Sequence, residues 1–223
     1  VFGTIPDFRR GLARSRRARS KVFLALIDDP ESSASEAYRA LRSSLQFASK
    51  GQTLKSLAIT SAAQGEGKST TTADLAIALA QGGKRVLLVD ADLRRPVVHK
   101  FFERAIAPGL SEVLQGNAES EESLRDTPIP NLTIVTAGSA VKNPSDLLAS
   151  AELAELSRTW AEQFDHVLYD VPPVLAVSDA SSFLHNLDAI FLLCRSDLLP
   201  ENVVEQATRR LRMSGAPLLG AIL

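Results

Sequence analysis

The chain has 223 residues, of which 45% are hydrophobic and 23% charged. That is enough to bury the core of one large domain, and too apolar for a disordered or low-complexity polypeptide. Lys plus Arg (25) nearly balance Asp plus Glu (26), so the formal charge of -1 excludes a generally basic nucleic-acid binder.

The charge is unevenly spread along the chain. Residues 1–30 carry seven basic residues, all between Arg9 and Lys21, against three acids, which leaves 18 basic and 23 acidic residues in 31–223. This predicts a basic linker over 1–30 and a domain over 31–223. Arg9–Lys21 contains no acid. It reads as a solvated tether or as a contact to anionic lipid headgroups, each basic residue contributing about 1 kcal/mol near such a surface. The start has no secretory signal and no initiator Met, which suggests a fragment or processed product. The single cysteine, Cys194, suits a reducing compartment, and the longest apolar runs are strand-sized, so a cytoplasmic body is expected.

Beyond the linker, Ser32, Ser33 and Ser35 offer N-caps for a helix over about 36–48 with Ala37, Leu41, Leu45 and Ala48 on its apolar side. After a break at Gly51, strands and helices alternate. Leu54–Thr60 predicts a buried strand, followed by a Gly-rich turn and a helix over 68–80 ended by Gly82-Gly83. Arg85–Asp90 predicts the second strand, with short helical pieces near 96–102 and 110–114. Further strands are expected at 132–136, 166–170, 189–194 and 217–223, and helices at 151–163, 179–186 and 201–213. Apolar strands alternating with helices predict an α/β fold of the P-loop NTPase type, a mostly parallel sheet with helices on both faces.

The turn after the first strand reads Ala62-Ala63-Gln64-Gly65-Glu66-Gly67-Lys68-Ser69. It follows the G-x-x-x-x-G-K-[ST] pattern except that Ala62 stands at the first position. Gly65 and Gly67 let successive N–H groups converge on phosphate oxygens, and the helix opening at Lys68 adds the positive end of its dipole. Lys68 would neutralise β- and γ-phosphates and Ser69 would offer a hydroxyl to Mg²⁺. Gln64, Gly65, Glu66, Gly67, Lys68, Ser69 and Thr70 are therefore the expected ATP contacts. Asp90 and Asp92 close the second strand and Asp170 the fourth, at the carboxyl ends where ligands of open α/β sheets bind. Two acid-bearing strands joined to a P-loop point to a Mg²⁺ site.

Asp90-Ala91-Asp92-Leu93-Arg94-Arg95-Pro96 resembles the Walker A′ motif of the bacterial tyrosine kinases (BY-kinases) associated with capsule and exopolysaccharide synthesis. Glu36, Arg39 and Arg42 match that family's E-x-x-R-x-x-R helix, which implies subunit contacts in a homo-oligomeric ring. Asn143-Pro144-Ser145-Asp146-Leu147-Leu148 resembles its N-P-S-E-L-L segment, and Asp170-Val171-Pro172-Pro173 its Walker B region. Phe2-Gly3-Thr4-Ile5-Pro6 is similar to the segment following the second transmembrane helix of membrane-spanning members.

The resemblance implies transfer of the ATP γ-phosphoryl group to a tyrosine. Lys68, Asp90 and Asp92 are then catalytic, with Asp90 taking the tyrosine proton, or with the two acids exchanging or sharing roles. Ser69, Asp92 and Asp170 are the metal shell. The implied place is the cytoplasmic face of the plasma membrane, beside polysaccharide export or polymerisation machinery. The chain has only Tyr38 and Tyr169, so the acceptor is either a tyrosine-bearing tail beyond Leu223 or another protein. Read from its residues alone, the Glu36–Arg39–Arg42 stripe is better explained by an intrahelical Glu36–Arg39 pair.

Two other readings stand beside the kinase. MinD- and ParA-like ATPases share the sheet but carry a lysine five residues before the P-loop lysine, where this chain has Ala63. A nucleotide-dependent assembly module for polysaccharide export needs no phosphotransfer. Among the remaining residues, His99, His166 and His185 are too scattered for a metal motif. Cys194 and Trp160 are expected to pack, and Arg195 lies where a nucleotide base could sit.

Overall fold

A computed structural model describes residues 1–6, 23–49, 54–176, 181–196 and 198–223. The stretch Arg9–Lys21 and the break at Gly51 lie outside the described residues.

Among the described residues, seven strands form one sheet: β1 (Ser56–Ser61), β2 (Val86–Asp90), β3 (Leu124–Asp126), β4 (Leu132–Val135), β5 (His166–Asp170), β6 (Ala189–Leu193) and β7 (Leu218–Ile222). Their spatial order is β3-β4-β2-β5-β1-β6-β7, parallel throughout except for β3, which runs antiparallel to β4. The α/β P-loop NTPase architecture expected from the sequence is present. The missed strand, β3, has only three residues and includes Arg125 and Asp126; at a sheet edge it needs no apolar pattern, so the sequence carries no signal for it.

The helices are α1 (Ala25–Asp28), α2 (Ser33–Ala48), α3 (Lys68–Gln81), α4 (Val98–Phe101), α5 (Leu110–Leu114), α6 (Ser120–Ser123), α7 (Pro144–Leu148), α8 (Ala151–Gln163), α9 (Ser181–Leu184) and α10 (Glu201–Met213). Helix α2 starts three residues earlier than predicted because the Ser32 hydroxyl caps it, accepting the Ser35 N–H. The predicted helix over 179–186 begins outside the described residues.

Successive strand residues point to opposite faces, and each face builds its own core. Leu57, Ile59, Val86, Leu88 and Leu168 pack with Leu41 and Leu45 of α2 and with the nearly wholly buried helix α3. Ala58, Leu87, Val89, Val167 and Tyr169 pack on the other face with Trp160 of α8 and Leu211 of α10. Trp160 is fully buried and donates its indole N–H to Ser120 Oγ at 3.3 Å. Cys194 is buried, as expected.

The predicted boundary at residue 30 needs correction, because both ends of that segment join the domain. Gly3 bridges Ile222 in parallel, and the Phe2 N–H donates to Ala221 O at 2.7 Å, extending the sheet at β7. Phe2 also meets Phe191 with ring centroids 4.7 Å apart. Leu24, Ala25 and Leu26 are buried in the α2–α3 core. The sequence signal for these attachments is the apolar residues at 2, 5, 23, 24 and 26, which flank the basic run.

The second attachment is polar. Asp74, in the middle of α3 and without solvent exposure, accepts the N–H groups of Ala25 (3.2 Å) and Leu26 (3.1 Å). Burial pushes its carboxyl up from 3.8 to about 7; the two N–H donors hold it back and Asp28 adds a smaller upward push. An acid whose folded pKa lies above its unfolded one holds its proton longer in the folded state. Its contribution to stability is complete below about pH 4 and is lost as pH rises to about 7. Asp74→Asn should therefore lose less melting temperature than the parent between pH 5 and pH 8. Identical slopes in the two proteins would remove Asp74 as the source.

Candidate active site

Strand β1 delivers the chain into the phosphate cradle. Gly65 has φ +83° and Gly67 φ +99°, while a Cβ on either would meet nothing within 4 Å. Backbone conformation, not space, therefore requires glycine at both positions. Ala62, which departs from the P-loop pattern, is buried, and the only described non-Gly residues with positive φ are Glu103 and Asn131. Alanine at 62 thus sits in an ordinary backbone conformation without strain.

The Glu66 side chain turns inward instead of toward a ligand. Its carboxylate accepts the Ala63 N–H at 2.7 Å and the Arg195 N–H at 3.2 Å, bracing the cradle against the end of β6. Only the Glu66 backbone is left for a phosphate. The sequence carries no signal for this brace, because Arg195 is 129 residues away.

Register brings the acids together. Asp90 and Asp170 are partners across β2 and β5, and Asp170 also faces Ile59 of β1. Lys68 Nζ, at the start of α3, donates to Asp170 Oδ1 at 2.6 Å and to Ser69 Oγ at 3.2 Å, and pairs with Asp92 Oδ2 at 3.4 Å. Lys68, Asp90, Asp92 and Asp170 are all buried. Burial alone would lower the Lys68 pKa, but the charges of Asp170, Asp92 and Asp90 outweigh it and hold the ammonium above its ordinary value. Burial raises Asp170, against the pull of Lys68. Burial and then the Asp170 charge push Asp90 up to about 8, against N–H donors from Val98 and Val97 and the Lys68 charge.

The two acids after β2 occupy different surroundings. Asp90 has no exposed surface; its Oδ2 accepts the N–H groups of Val97 (3.0 Å) and Val98 (2.9 Å), and its Oδ1 that of Asp92 (3.3 Å). Asp92 accepts the Arg95 N–H at Oδ1 (3.1 Å) and lines a cleft of about 300 Å³ with Gln64, Arg94, Arg95, Pro172 and Pro173. Arg94 reaches from this turn to Ser145 Oγ of α7 at 3.2 Å, which ties the turn to the Asn143–Leu148 segment.

The donors suit a hard cation. Asp170 Oδ2 is buried without a hydrogen-bond partner, and Ser69 Oγ and the Asp92 carboxylate stand around the same lysine. No group of three or more His, Cys, Asp or Glu side chains able to hold a metal occurs among the described residues. One or two carboxylates completed by substrate phosphates is how Mg²⁺ is usually held, in contrast to an all-protein cage.

The stripe on α2 does not present three free side chains. Glu36 and Arg39 form an ion pair with each other, as the residues alone suggested. Arg39 also donates to Pro30 O at 2.8 Å. Arg42 donates to Ala78 O of α3 at 2.8 Å and lies against Gly82. Tyr38 and Tyr169 are both buried, and the Tyr169 hydroxyl donates to Ser157 Oγ at 2.7 Å. Neither tyrosine is placed to accept a phosphoryl group.

Residues 54–196 match the family described as AAA domain. The chain is 38% identical over 212 residues to the tyrosine-protein kinase YwqD of Bacillus subtilis, covering 95% of this chain and 90% of that protein. It is 33% identical over 227 residues to the tyrosine-protein kinase ptk of Acinetobacter johnsonii, covering all of this chain but only 31% of that protein. The kinase domain of the Escherichia coli tyrosine kinase ETK superposes with a TM-score of 0.93 at 34% identity, over all of this chain and 89% of that one.

Proposed function

This chain belongs to the bacterial tyrosine kinases, and from that premise we propose that it moves the γ-phosphoryl group of ATP to a tyrosine hydroxyl in the service of capsule or exopolysaccharide synthesis and export. One observation supports this most: a buried lysine at the mouth of the P-loop helix, 2.6 Å from one strand-end carboxylate and 3.4 Å from another. Phosphoryl transfer asks chiefly for positioning and charge neutralisation, which such a cluster supplies.

In the proposed reaction the backbone of Gln64–Gly67, Thr70 and the Lys68 ammonium hold the phosphates, and Lys68 exchanges its pairs with Asp170 and Asp92 for phosphate oxygens. Ser69, Asp92 and Asp170 would hold Mg²⁺, which when bound neutralises charge on the β- and γ-phosphates. The tyrosine oxygen forms a bond to the γ-phosphorus as the bond to the β–γ bridging oxygen breaks, and ADP leaves with that electron pair. The phenolic proton passes to the ionised form of Asp90, which burial and Asp170 oppose and which the Lys68 charge, and the charge Mg²⁺ would add, favour. Asp90 Oδ1 accepts a single 3.3 Å bond and keeps a lone pair, whereas Oδ2 is filled by two donors. Asp90 is fully buried, so the tyrosine reaches it only as the 92–98 turn shifts.

The acceptor is another polypeptide or a tail outside the chain, since both tyrosines here are buried. Neighbouring copies would meet through Glu36 and Arg39 in a ring, with the Arg42 side chain kept on Ala78 O of α3. The basic run Arg9–Lys21 would lie on anionic lipid at the cytoplasmic face of the membrane. The test is incubation with Mg-ATP and a tyrosine peptide, read as phosphotyrosine and ADP. ADP without phosphotyrosine would favour a positioning ATPase, and neither product an assembly module. Light scattering with nucleotide tests the ring, and a monomer at every concentration would remove it.

A further inference from the structure

The turn that carries Asp92 also carries two cations that the phosphate chemistry leaves unused. Arg94 and Arg95 are exposed, and neither forms an ion pair among the described residues. Both line the cleft of about 300 Å³ next to Asp92, in which the only cradle residue is Gln64; Lys68 and Ser69 do not line it. The two oxygens of Asp92 divide the site. Oδ2 faces Lys68 at 3.4 Å, and Oδ1 accepts the Arg95 N–H at 3.1 Å. The arginines line the cleft with Asp92, whereas Lys68, the lysine proposed to hold phosphates, does not line it. Arg94 is also fixed in place, its Nη2 donating to the buried Ser145 at 3.2 Å. A guanidinium held by a neutral hydroxyl keeps its charge and most of its donors for a ligand.

We propose that Arg94 and Arg95 form a subsite for an anionic side chain next to the target tyrosine, so that the enzyme favours acceptors flanked by Asp, Glu or phosphotyrosine. This rests on the kinase reading given above. The cleft adjoins the carboxylates where the tyrosine hydroxyl must arrive, and its other walls are uncharged: Gln64, Pro172, Pro173 and Ala176. Asp92 alone would repel an acidic acceptor, while two arginines reverse the sign at the rim. Carboxylate and phosphate both match the planar donor fork of arginine.

The experiment uses the whole chain with Mg-ATP and three peptides that differ only beside the tyrosine, bearing Glu, phosphotyrosine or Gln. The expected kcat/KM is about five- to tenfold higher for the anionic peptides than for the Gln peptide, with the gap narrowing as salt rises. A gap confined to phosphotyrosine, or to Glu, supports the subsite and identifies its ligand. The Arg94→Gln/Arg95→Gln variant should lose the gap, and Arg95→Glu should favour a Lys-flanked peptide. Equal rates on all three peptides overturn the proposal. So does a double variant that slows every peptide alike while raising the KM for ATP, which would give the arginines to the nucleotide. Phosphorylation of none of the peptides by the unmodified chain is a different failure: it removes the kinase reading, and the subsite with it.

Discussion

Replacing Lys68 with methionine is expected to lower tyrosine phosphorylation about a thousandfold, because the charge that offsets the migrating phosphoryl group is lost from a buried site. The same change should destabilise the protein. Asp170, Asp92 and Asp90 are all buried and rely on this ammonium. Removing one partner of a buried ionic cluster costs about 3–5 kcal/mol. That loss depends on pH in a definite sense. Without the lysine the carboxyls hold their protons more tightly in the folded state than in the unfolded one. Stability is then retained at low pH and lost as pH rises. Phosphotyrosine assays together with melting curves at pH 5 and pH 8 separate the two effects. Phosphorylation at the parent rate would remove Lys68 from the reaction, and a melting temperature equal to the parent's at both pH values would show that the acids do not depend on it.

Asp90→Asn is expected to slow phosphorylation by about 10²–10⁴-fold while leaving the fold intact. Asparagine keeps an oxygen for the Val97 and Val98 N–H groups, which both bond to a single atom of Asp90, and gives up only the 3.3 Å bond from the Asp92 N–H, but it offers no proton acceptor of comparable strength. The variant also removes a like charge from beside Asp170, its register partner, so its melting temperature should not fall at alkaline pH. The expected outcome is thus low activity without low stability, a combination that misfolding does not produce. Nucleotide affinity, measured by titration with ADP, should change far less than the rate. A rate within about threefold of the parent would pass the proton-accepting role to Asp92, which already faces the cleft.

The difference between these variants lies in how each carboxylate is held. Asp90 is fastened by the backbone of its own turn, Asp92 shares its two oxygens between Lys68 and Arg95, and Asp170 depends on Lys68 and leaves one oxygen without a partner. The three acids look alike as letters at strand ends. Only their donors distinguish the one locked in place from the two open to exchange.

Much of the fold was written locally. Apolar strands of five or six residues, Gly-rich turns and the 3.6-residue pattern of α8 and α10 are short-range signals, and the observed helices at 110–114, 151–163 and 201–213 follow them residue for residue. The P-loop was legible for the same reason: Gly65 and Gly67 are required by backbone angles within one turn. Elements held by distant partners carry only weak local signals. Strand β3 is a three-residue edge, and the α1 segment is held by Asp74, about 50 residues further along the chain.

The layered α/β architecture, the Gly-rich turn of the P-loop and the acids that end particular strands are all encoded locally, because they follow from periodicity and from conformations a few residues long. Packing across the fold makes Asp90 and Asp170 neighbours, joins Asp170 to Asp92 through Lys68, lets Glu66 brace the cradle, ties the Arg42 side chain of α2 to Ala78 O of α3, and turns Arg94 and Arg95 to a cleft. Each of those facts depends on the order of strands in the sheet and on burial. Both are set by how distant segments cover one another's apolar faces, which no local stretch of sequence encodes.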